Sequence, residues 1–249
     1  MSSLLPSLRR FLVEPDREPA REVCEMCATP VPAQHPHLVQ VAERRMICAC
    51  GPCGFLFSNP GAGGGGYRRI PDRYLSDPDF QLTDAQWDAL QIPVGMAFFL
   101  NNSAQEKMIA CYPSPAGATE SELGLDAWTS GVGSGRLAAE LEPDVEALLV
   151  RRGASGPGSA DRSEGPSECL LVPIDACYRL VGLVRMHWRG FDGGPDAWRE
   201  IDNFFDAMRA EAELLEPQGH LEPQGHTEPA LPDGHTELAE PAGRSRSEA

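Results

Sequence analysis

Residues 24–57 read CEMCATPVPAQHPHLVQVAERRMICACGPCGFLF, and this stretch decides how the first part of the chain folds. It contains two C-x-x-C pairs, Cys24/Cys27 and Cys50/Cys53, separated by a segment long enough to form two short strands. Each C-x-x-C turn directs two thiolates towards one point, and two such turns supply the four sulfur ligands of a tetrahedral metal site. The spacing therefore predicts a metal-binding module with four cysteine ligands.

One ambiguity concerns Cys48, because the run from Cys48 to Cys53 is C-A-C-G-P-C and offers three thiols. Cys48 could replace Cys50, but only Cys50 has C-x-x-C spacing to Cys53, and this favours Cys50 as the ligand. His35 and His37 also lie between the two pairs, and a mixed cysteine–histidine site is less favoured than four cysteines. The predicted ligands are Cys24, Cys27, Cys50 and Cys53, with Cys48 held in reserve.

The residues around the two pairs predict a small ribbon. Apolar residues within 38–41 and 46–47 favour two short strands. Glycines flank the second pair and permit a tight turn there, and we expect Phe55 and Phe57 to cover one side of the metal. The sequence thus predicts a zinc-ribbon or rubredoxin-like module over residues 22–58.

The cysteine pattern leaves two metals open. Zinc in a closed site of four cysteines is redox-inert and structural, whereas iron in the same tetrahedral sulfur cage is a one-electron centre, as in rubredoxins. Rubredoxins have the order C-P-x-C-G in the second pair. Here the proline is Pro52, directly before Cys53, so the match is partial. Zn2+ is therefore the favoured cofactor, and iron is the alternative.

Composition restricts the partners and the compartment. The 249 residues carry a formal net charge of −16, whereas a general nucleic-acid binder needs a basic face to displace counterions from phosphates. No run of residues approaches the roughly 18–20 apolar residues that cross a bilayer, and residues 1–13 lack the order of a secretory signal. We therefore expect a cytoplasmic location, a protein partner, no nucleic acid and no membrane span.

Changes in composition mark the domain organisation. The run N-P-G-A-G-G-G-G after the cysteine module is typical of a flexible linker. The C-terminal part repeats EPQGH and is too poor in apolar residues to order itself. The predicted parts are a flexible leader (1–21), the ribbon (22–58), a Gly-rich linker (59–66), an α+β domain (67–215) and a disordered tail (216–249).

Apolar patterns in 67–215 predict a mainly antiparallel sheet of about five strands packed by helices. A short helix is expected at Thr83–Gln91, with Thr83 as its N-cap, and a longer one at Pro195–Leu215, where apolar residues recur at helical spacing. Asp175–Cys177 fits a tight turn between two strands. The predicted strands are Ile92–Leu100, Lys107–Tyr112, Ala147–Arg151, Glu168–Ile174 and Tyr178–Trp188.

Five stretches of the chain together resemble a known family. They are HLVQVAERRMICACGPCGFLF (37–57), YRRIPDRY (67–74), YPSPAGATES (112–121), PDVEALLVRR (143–152) and LVPIDACYRLVGLVRMHWRGFDGG (171–194). The chain resembles the DUF5947 family, an uncharacterised actinobacterial family whose members are often encoded beside nickel–iron hydrogenase genes. The resemblance implies a hydrogenase-associated role, and a cysteine-rich stretch of the family matches Cys48, Cys50 and Cys53.

Three functions remain open at this point. The favoured hypothesis is a non-enzymatic, metal-binding accessory protein that docks a hydrogenase subunit or a maturation factor. The first alternative is a rubredoxin-like electron carrier with a single iron. The second is an enzyme whose site lies in the α+β domain around residues 112–120 and His187, although one histidine without an evident partner is weak evidence for acid–base catalysis.

Overall fold

The computed structural model describes residues 22–59, 61–153 and 166–215. The predicted leader and the predicted tail lie outside the described residues. Within these ranges the fold is α+β, as the sequence predicts, with largely antiparallel sheets and helices packed against them. No described helix is both long enough and apolar enough to cross a bilayer.

Short strands and helices alternate along the described chain. The strands are β1 (His37–Gln40), β2 (Arg45–Cys48), β3 (Tyr67–Arg69), β4 (Leu75–Ser76), β5 (Met96–Asn102), β6 (Lys107–Ser114), β7 (Gly117–Ser121), β8 (Glu146–Arg151), β9 (Glu168–Pro173) and β10 (Glu213–Leu214). The α-helices are α1 (Gly51–Leu56), α2 (Asp84–Ala89), α3 (Leu125–Ser130), α4 (Arg136–Glu140), α5 (Ile174–His187) and α6 (Gly194–Glu211). Two 3-10 turns lie at Ala62–Gly65 and Val132–Ser134.

A seven-stranded sheet with the order β10-β4-β9-β8-β5-β6-β7 forms the centre of residues 67–215. Its neighbouring strands pair antiparallel, except that β10 runs parallel to β4. The predicted strands at β5 and β6 are confirmed and pair as a hairpin, and the predicted strands at β8 and β9 are confirmed as well. Strand β5 begins at Met96 instead of the predicted Ile92. Pro93 lies outside the strand, because proline has no N–H to donate to a strand ladder.

The predicted count of about five strands is too low for this sheet. The strands β4 and β10 have two residues each, and β7 alternates between half-buried and exposed positions without a buried residue. Such short or weakly apolar strands carry little of the periodic signal on which a sequence-based assignment depends.

Both faces of the sheet are buried. Along β5 and β8 the side chains alternate, so that Phe98 and Leu149 belong to one apolar cluster and Phe99 and Leu148 to the other, all with 0% exposure. Helices α5 and α6 contribute to the first cluster, and α2 and α4 contribute to the second. The sheet is therefore a central layer between two sets of helices.

The prediction of a strand at Tyr178–Trp188 is wrong, because this segment belongs to helix α5. The helix begins directly after Pro173, the last residue of β9, so the predicted turn at Asp175–Cys177 is its first turn instead. The residues of α5 that are buried recur three or four positions apart, which is the helical period. They are Ile174, Ala176, Cys177, Leu180, Val181 and Val184.

The long C-terminal helix is confirmed as α6, but it ends at Glu211 instead of the predicted Leu215, because the chain continues into strand β10. Its predicted apolar face packs on the core. Ile201, Phe205 and Met208 are buried in the cluster on one face of the sheet, while Trp198 and Phe204 are partly buried against it. Pro195 lies in the first turn, where a missing N–H removes no helical hydrogen bond. The aromatic stripe of this helix therefore serves the core.

The predicted cap of α2 is also confirmed. Thr83 accepts a hydrogen bond from the backbone N–H of Gln86, whose side chain accepts one from the backbone N–H of Thr83. We expect Thr83→Ala to lower the free energy of unfolding by about 1 kcal/mol, because this capping box is lost. Thr129→Ala is the control, since the Thr129 hydroxyl bonds only carbonyls of its own helix. Equal midpoints in urea for the two variants would contradict this expectation.

Candidate metal centre

The N-terminal ribbon is a three-stranded antiparallel sheet with the order β2-β1-β3. Leu38 on β1 lies opposite Ile47 on β2, and both face a small apolar cluster that also contains Cys24 and Ala49. The two predicted short strands are therefore confirmed. The N–H of Glu25 donates to the carbonyl of Cys48 at 2.9 Å, which places the chain segments that carry the two C-x-x-C pairs side by side.

The first pair lies in a tight turn over residues 24–29. The backbone N–H of Cys24 donates to the carbonyl of Thr29 at 2.8 Å, and the N–H of Ala28 donates to the carbonyl of Cys24 at 2.7 Å. Ala28 adopts a left-handed φ of 61°, which is uncommon for a residue other than glycine. The turn thus closes around Cys24 and leaves Cys27 at the exposed side.

The second pair begins helix α1, with Cys50 at the N-cap and Pro52 in the first turn. The N–H of Gly54 donates to the carbonyl of Cys50 at 2.8 Å. Gly54 packs closely on Pro36, since a Cβ at this position would lie 2.9 Å from the Cβ of Pro36. The glycine after the pair therefore permits the helix to approach the strand that enters the ribbon.

The two turns bring Cys24, Cys27, Cys50 and Cys53 together, and their four Sγ atoms lie within 4.8 Å of one another. The Sγ atoms of Cys27 and Cys50 are 3.7 Å apart. That distance is too long for a disulfide bond of about 2.05 Å. It fits the edge of a tetrahedron around a metal with metal–sulfur bonds of about 2.3 Å, which is about 3.8 Å. The four cysteines thus have the spacing of a tetrahedral sulfur site.

Within this cluster, hydrogen bonds lower the pKa of one thiol, whereas neighbouring sulfurs raise the pKa of another. Burial alone would raise the pKa of Cys24, but hydrogen bonds from backbone N–H groups, the strongest from Cys50, lower that pKa to about 6. The neighbouring sulfurs, Cys50 first, raise the pKa of Cys53 to about 12. Four thiolates at this spacing repel one another unless a cation lies between them. A bound divalent cation would offset this repulsion.

Cys48, which the sequence held in reserve, lies apart from the four-cysteine cluster. It is the cross-strand partner of His37, and it follows Ile47, whose side chain faces the ribbon core. Because successive side chains of a strand point to opposite faces, Cys48 points away from that core. The structure groups its sulfur with His35 and His37 instead.

The two phenylalanines after the second pair differ in their surroundings. Phe57 packs against the ribbon cluster and contacts Tyr67 with ring centroids 5.5 Å apart. Phe55 is 74% exposed, so the expectation that it covers the metal is wrong. Phe55 lies on helix α1 and Phe57 is its C-cap, two positions further along, so the two rings point to different sides.

Nothing in the sequence pairs the ribbon with helix α5. His37 Nδ1 lies 3.0 Å from Oδ2 of Asp175, in the first turn of α5. This hydrogen bond raises the pKa of His37. No local signal marks the pair, since the two residues are 138 positions apart.

The region considered for an enzyme site forms ordinary secondary structure. Residues 112–120 belong to β6, β7 and the turn between them, and Glu120 pairs with Arg44 of the ribbon at 2.7 Å. His187 is the last residue of α5. Within the described ranges, the groups of three or more side chains placed to hold a metal do not include His187.

The comparisons with known proteins agree with the resemblance of the five stretches. No curated protein and no solved structure matches the chain. Residues 23–212 match the model described as a family of unknown function (DUF5947), and the chain therefore belongs to that family.

Proposed function

We propose that the protein is a metal-binding accessory protein whose four-cysteine centre holds one structural zinc ion. The observation that carries this proposal is the convergence of four Sγ atoms within 4.8 Å. Four protein sulfurs fill all four coordination positions of a tetrahedral metal ion. Zinc sites of this closed kind stabilise structure without binding substrate. Cys24, Cys27, Cys50 and Cys53 would be the ligands.

The small core of the ribbon supports a stabilising role for the metal. Among the described residues, its own buried cluster consists of Cys24, Leu38, Ile47 and Ala49, each at most 3% exposed. So few apolar side chains cannot offset the conformational entropy of ordering this segment. In such modules the free energy of metal binding supplies the missing free energy of folding. The ribbon is thus expected to depend on its metal.

The proposed partner is a subunit of a nickel–iron hydrogenase or a factor in its maturation. The support for this partner is the placement of family members beside hydrogenase genes, as the sequence resemblance implies. The formal charge of −16 is compatible with a basic surface on the partner. Co-purification of the hydrogenase with this protein, at equal stoichiometry and in moderate salt, would be the expected result.

A rubredoxin-like electron carrier is the second candidate, because two observations suit iron as well as zinc. Backbone N–H groups donate to the Cys24 sulfur, which stabilises charge on a thiolate ligand. Cys27 is exposed, so the centre lies close to the protein surface, where electrons could enter or leave. A single iron in this cage would have the same four ligands.

Metal analysis of the purified protein separates the two candidates. We expect one zinc per chain in the four-cysteine centre and no absorption in the visible range, because Zn2+ has a filled d shell. Measurement uses elemental analysis and the visible spectrum of protein purified without added metal. Iron with a reversible one-electron visible band would instead establish the electron carrier.

A further inference from the structure

A second group of side chains that could hold a metal lies on the other face of the ribbon from the four cysteines. One ring nitrogen of His35, one ring nitrogen of His37 and the Sγ of Cys48 all lie within 4.8 Å of one another. His37 and Cys48 are directly opposite on β1 and β2, so their side chains emerge on the same face. The rings of His35 and His37 are 4.7 Å apart between centroids.

His35 provides the strongest indication that this group binds a ligand. Its Nδ1 lies 2.8 Å from the carbonyl oxygen of Pro32, so this nitrogen carries the proton and donates it. Its Nε2 is buried and has no hydrogen-bond partner, and the side chain is only 3% exposed. A buried imidazole nitrogen with a free lone pair is unfavourable unless something binds it.

His37 is oriented in the same way by a carboxylate. Its Nδ1 lies 3.0 Å from Oδ2 of Asp175, which leaves Nε2 as its free nitrogen. Histidines that ligate metals commonly donate the other ring N–H to a carboxylate or a backbone carbonyl, which fixes the tautomer and the ring orientation. Here His37 is oriented by the carboxylate of Asp175, and His35 by the backbone carbonyl of Pro32.

Cys48 is held in place through its backbone. Its carbonyl accepts from the N–H of Glu25 at 2.9 Å, and its own N–H donates to the Glu25 carboxylate at 3.1 Å. Arg45 pairs with that carboxylate at 2.8 Å and fixes it in turn. The sulfur is thus presented towards the two imidazoles by a rigid strand end.

We propose that His35 Nε2, His37 Nε2 and Cys48 Sγ hold a second divalent transition-metal ion of the zinc type, separate from the four-cysteine centre. Two imidazoles and one thiolate suit ions of this kind, which are intermediate between hard and soft. Calcium and magnesium instead require oxygen ligands. Three protein ligands leave the fourth tetrahedral position open to water or to another ligand. The side chain of His37 is 31% exposed, which gives this position access to solvent.

The location gives the second metal a structural consequence. Two of its ligands belong to the ribbon strands, and Asp175 belongs to the first turn of α5. The carboxylate that orients His37 therefore connects the metal to the central domain. A bound ion would stiffen the contact between the ribbon and α5.

Titration of the full chain tests this site. Protein that contains one zinc is titrated with Co2+ in the presence of a weak chelator, and the total metal is measured by elemental analysis. We expect a second equivalent to bind, with a thiolate-to-cobalt absorption weaker than that of cobalt placed in the four-cysteine centre, because one sulfur contributes instead of four. Binding of only one metal by the wild type overturns the second site while leaving the proposed zinc centre intact.

Single variants assign the ligands. His37→Gln, His35→Gln and Cys48→Ser are each expected to lose the second equivalent and to keep the first. His187→Gln is the matched control and should keep both, because His187 lies outside the cluster. Retention of both equivalents by Cys48→Ser or His37→Gln would show that the extra metal is adventitious. Loss of both equivalents in folded Cys48→Ser would place Cys48 in the four-cysteine centre instead.

Asp175→Asn tests the orienting carboxylate without removing a ligand. Loss of such a partner typically weakens metal binding by about 10- to 100-fold. We expect that change in the apparent dissociation constant of the second Co2+ equivalent only, with the first metal unaffected. An unchanged second dissociation constant would contradict the assignment of His37 Nε2 as a ligand.

Discussion

Replacing Cys50 and Cys53 together with serine is expected to abolish metal binding and to unfold residues 22–58. The two sulfurs are half of the proposed zinc ligands, and the ribbon has few other buried side chains. Binding free energies of structural zinc in small modules are about 10–16 kcal/mol, and that free energy is lost with the metal. The second metal should be lost as well, since His35 and His37 lie in the same segment.

The measurement is elemental analysis together with hydrogen exchange across the chain. Fast exchange should appear within residues 22–58, with slow exchange retained in strands β5 and β8 of the central sheet. The double replacement of Cys111 and Cys169 by alanine is the control, because these two buried thiols lie in the sheet. It should keep the metal. Unchanged metal content in Cys50→Ser/Cys53→Ser would remove the basis of the ligand assignment.

Local signals explain what the sequence predicts well. The two C-x-x-C pairs need only their own turns to present sulfur, so they mark the four-cysteine cluster before any fold is known. The same holds for β8 and β9, which are short continuous apolar runs, and for the Thr83 cap, whose partner is three residues away. Each of these features is decided by residues close in the chain.

Helix α5 shows how a local signal fails. The stretch from Tyr178 to Trp188 is rich in apolar residues and contains two valines, which favours a strand. The helical period becomes visible only when Ile174 and Cys177 are included, and the local pattern predicts a strand and a turn for those two residues. Burial of one side of the helix against the sheet outweighs the strand preference.

The cluster around Cys48 could not be predicted for a different reason. Which face of the ribbon Cys48 occupies depends on the register of β1 and β2, and a shift by one residue would exchange the two faces. The pairing of His37 with Asp175 depends on packing between the ribbon and α5. Neither the register nor the packing leaves a pattern in the sequence.

A buried ion pair gives the second large expected effect. Glu146, at the start of β8, has 0% of its side chain exposed, and it accepts hydrogen bonds from Arg73 at 2.9 and 2.8 Å. Arg73→Met leaves this carboxylate buried without its cation. We expect the free energy of unfolding to fall by about 3 kcal/mol. This is at the low end of the values for broken buried ion pairs, because Arg73 is itself partly exposed. The melting temperature should fall by about 6–12 °C.

Two further variants decide whether the uncompensated charge causes that loss. Arg73→Met/Glu146→Gln should recover most of it, because an amide at 146 still accepts the N–H of Glu142 and carries no charge. Arg199→Met removes an exposed pair with Asp196 and should change the free energy of unfolding by less than about 0.5 kcal/mol. If the double variant is no more stable than Arg73→Met, lost packing of the arginine stem, and not the buried charge, limits stability at this position.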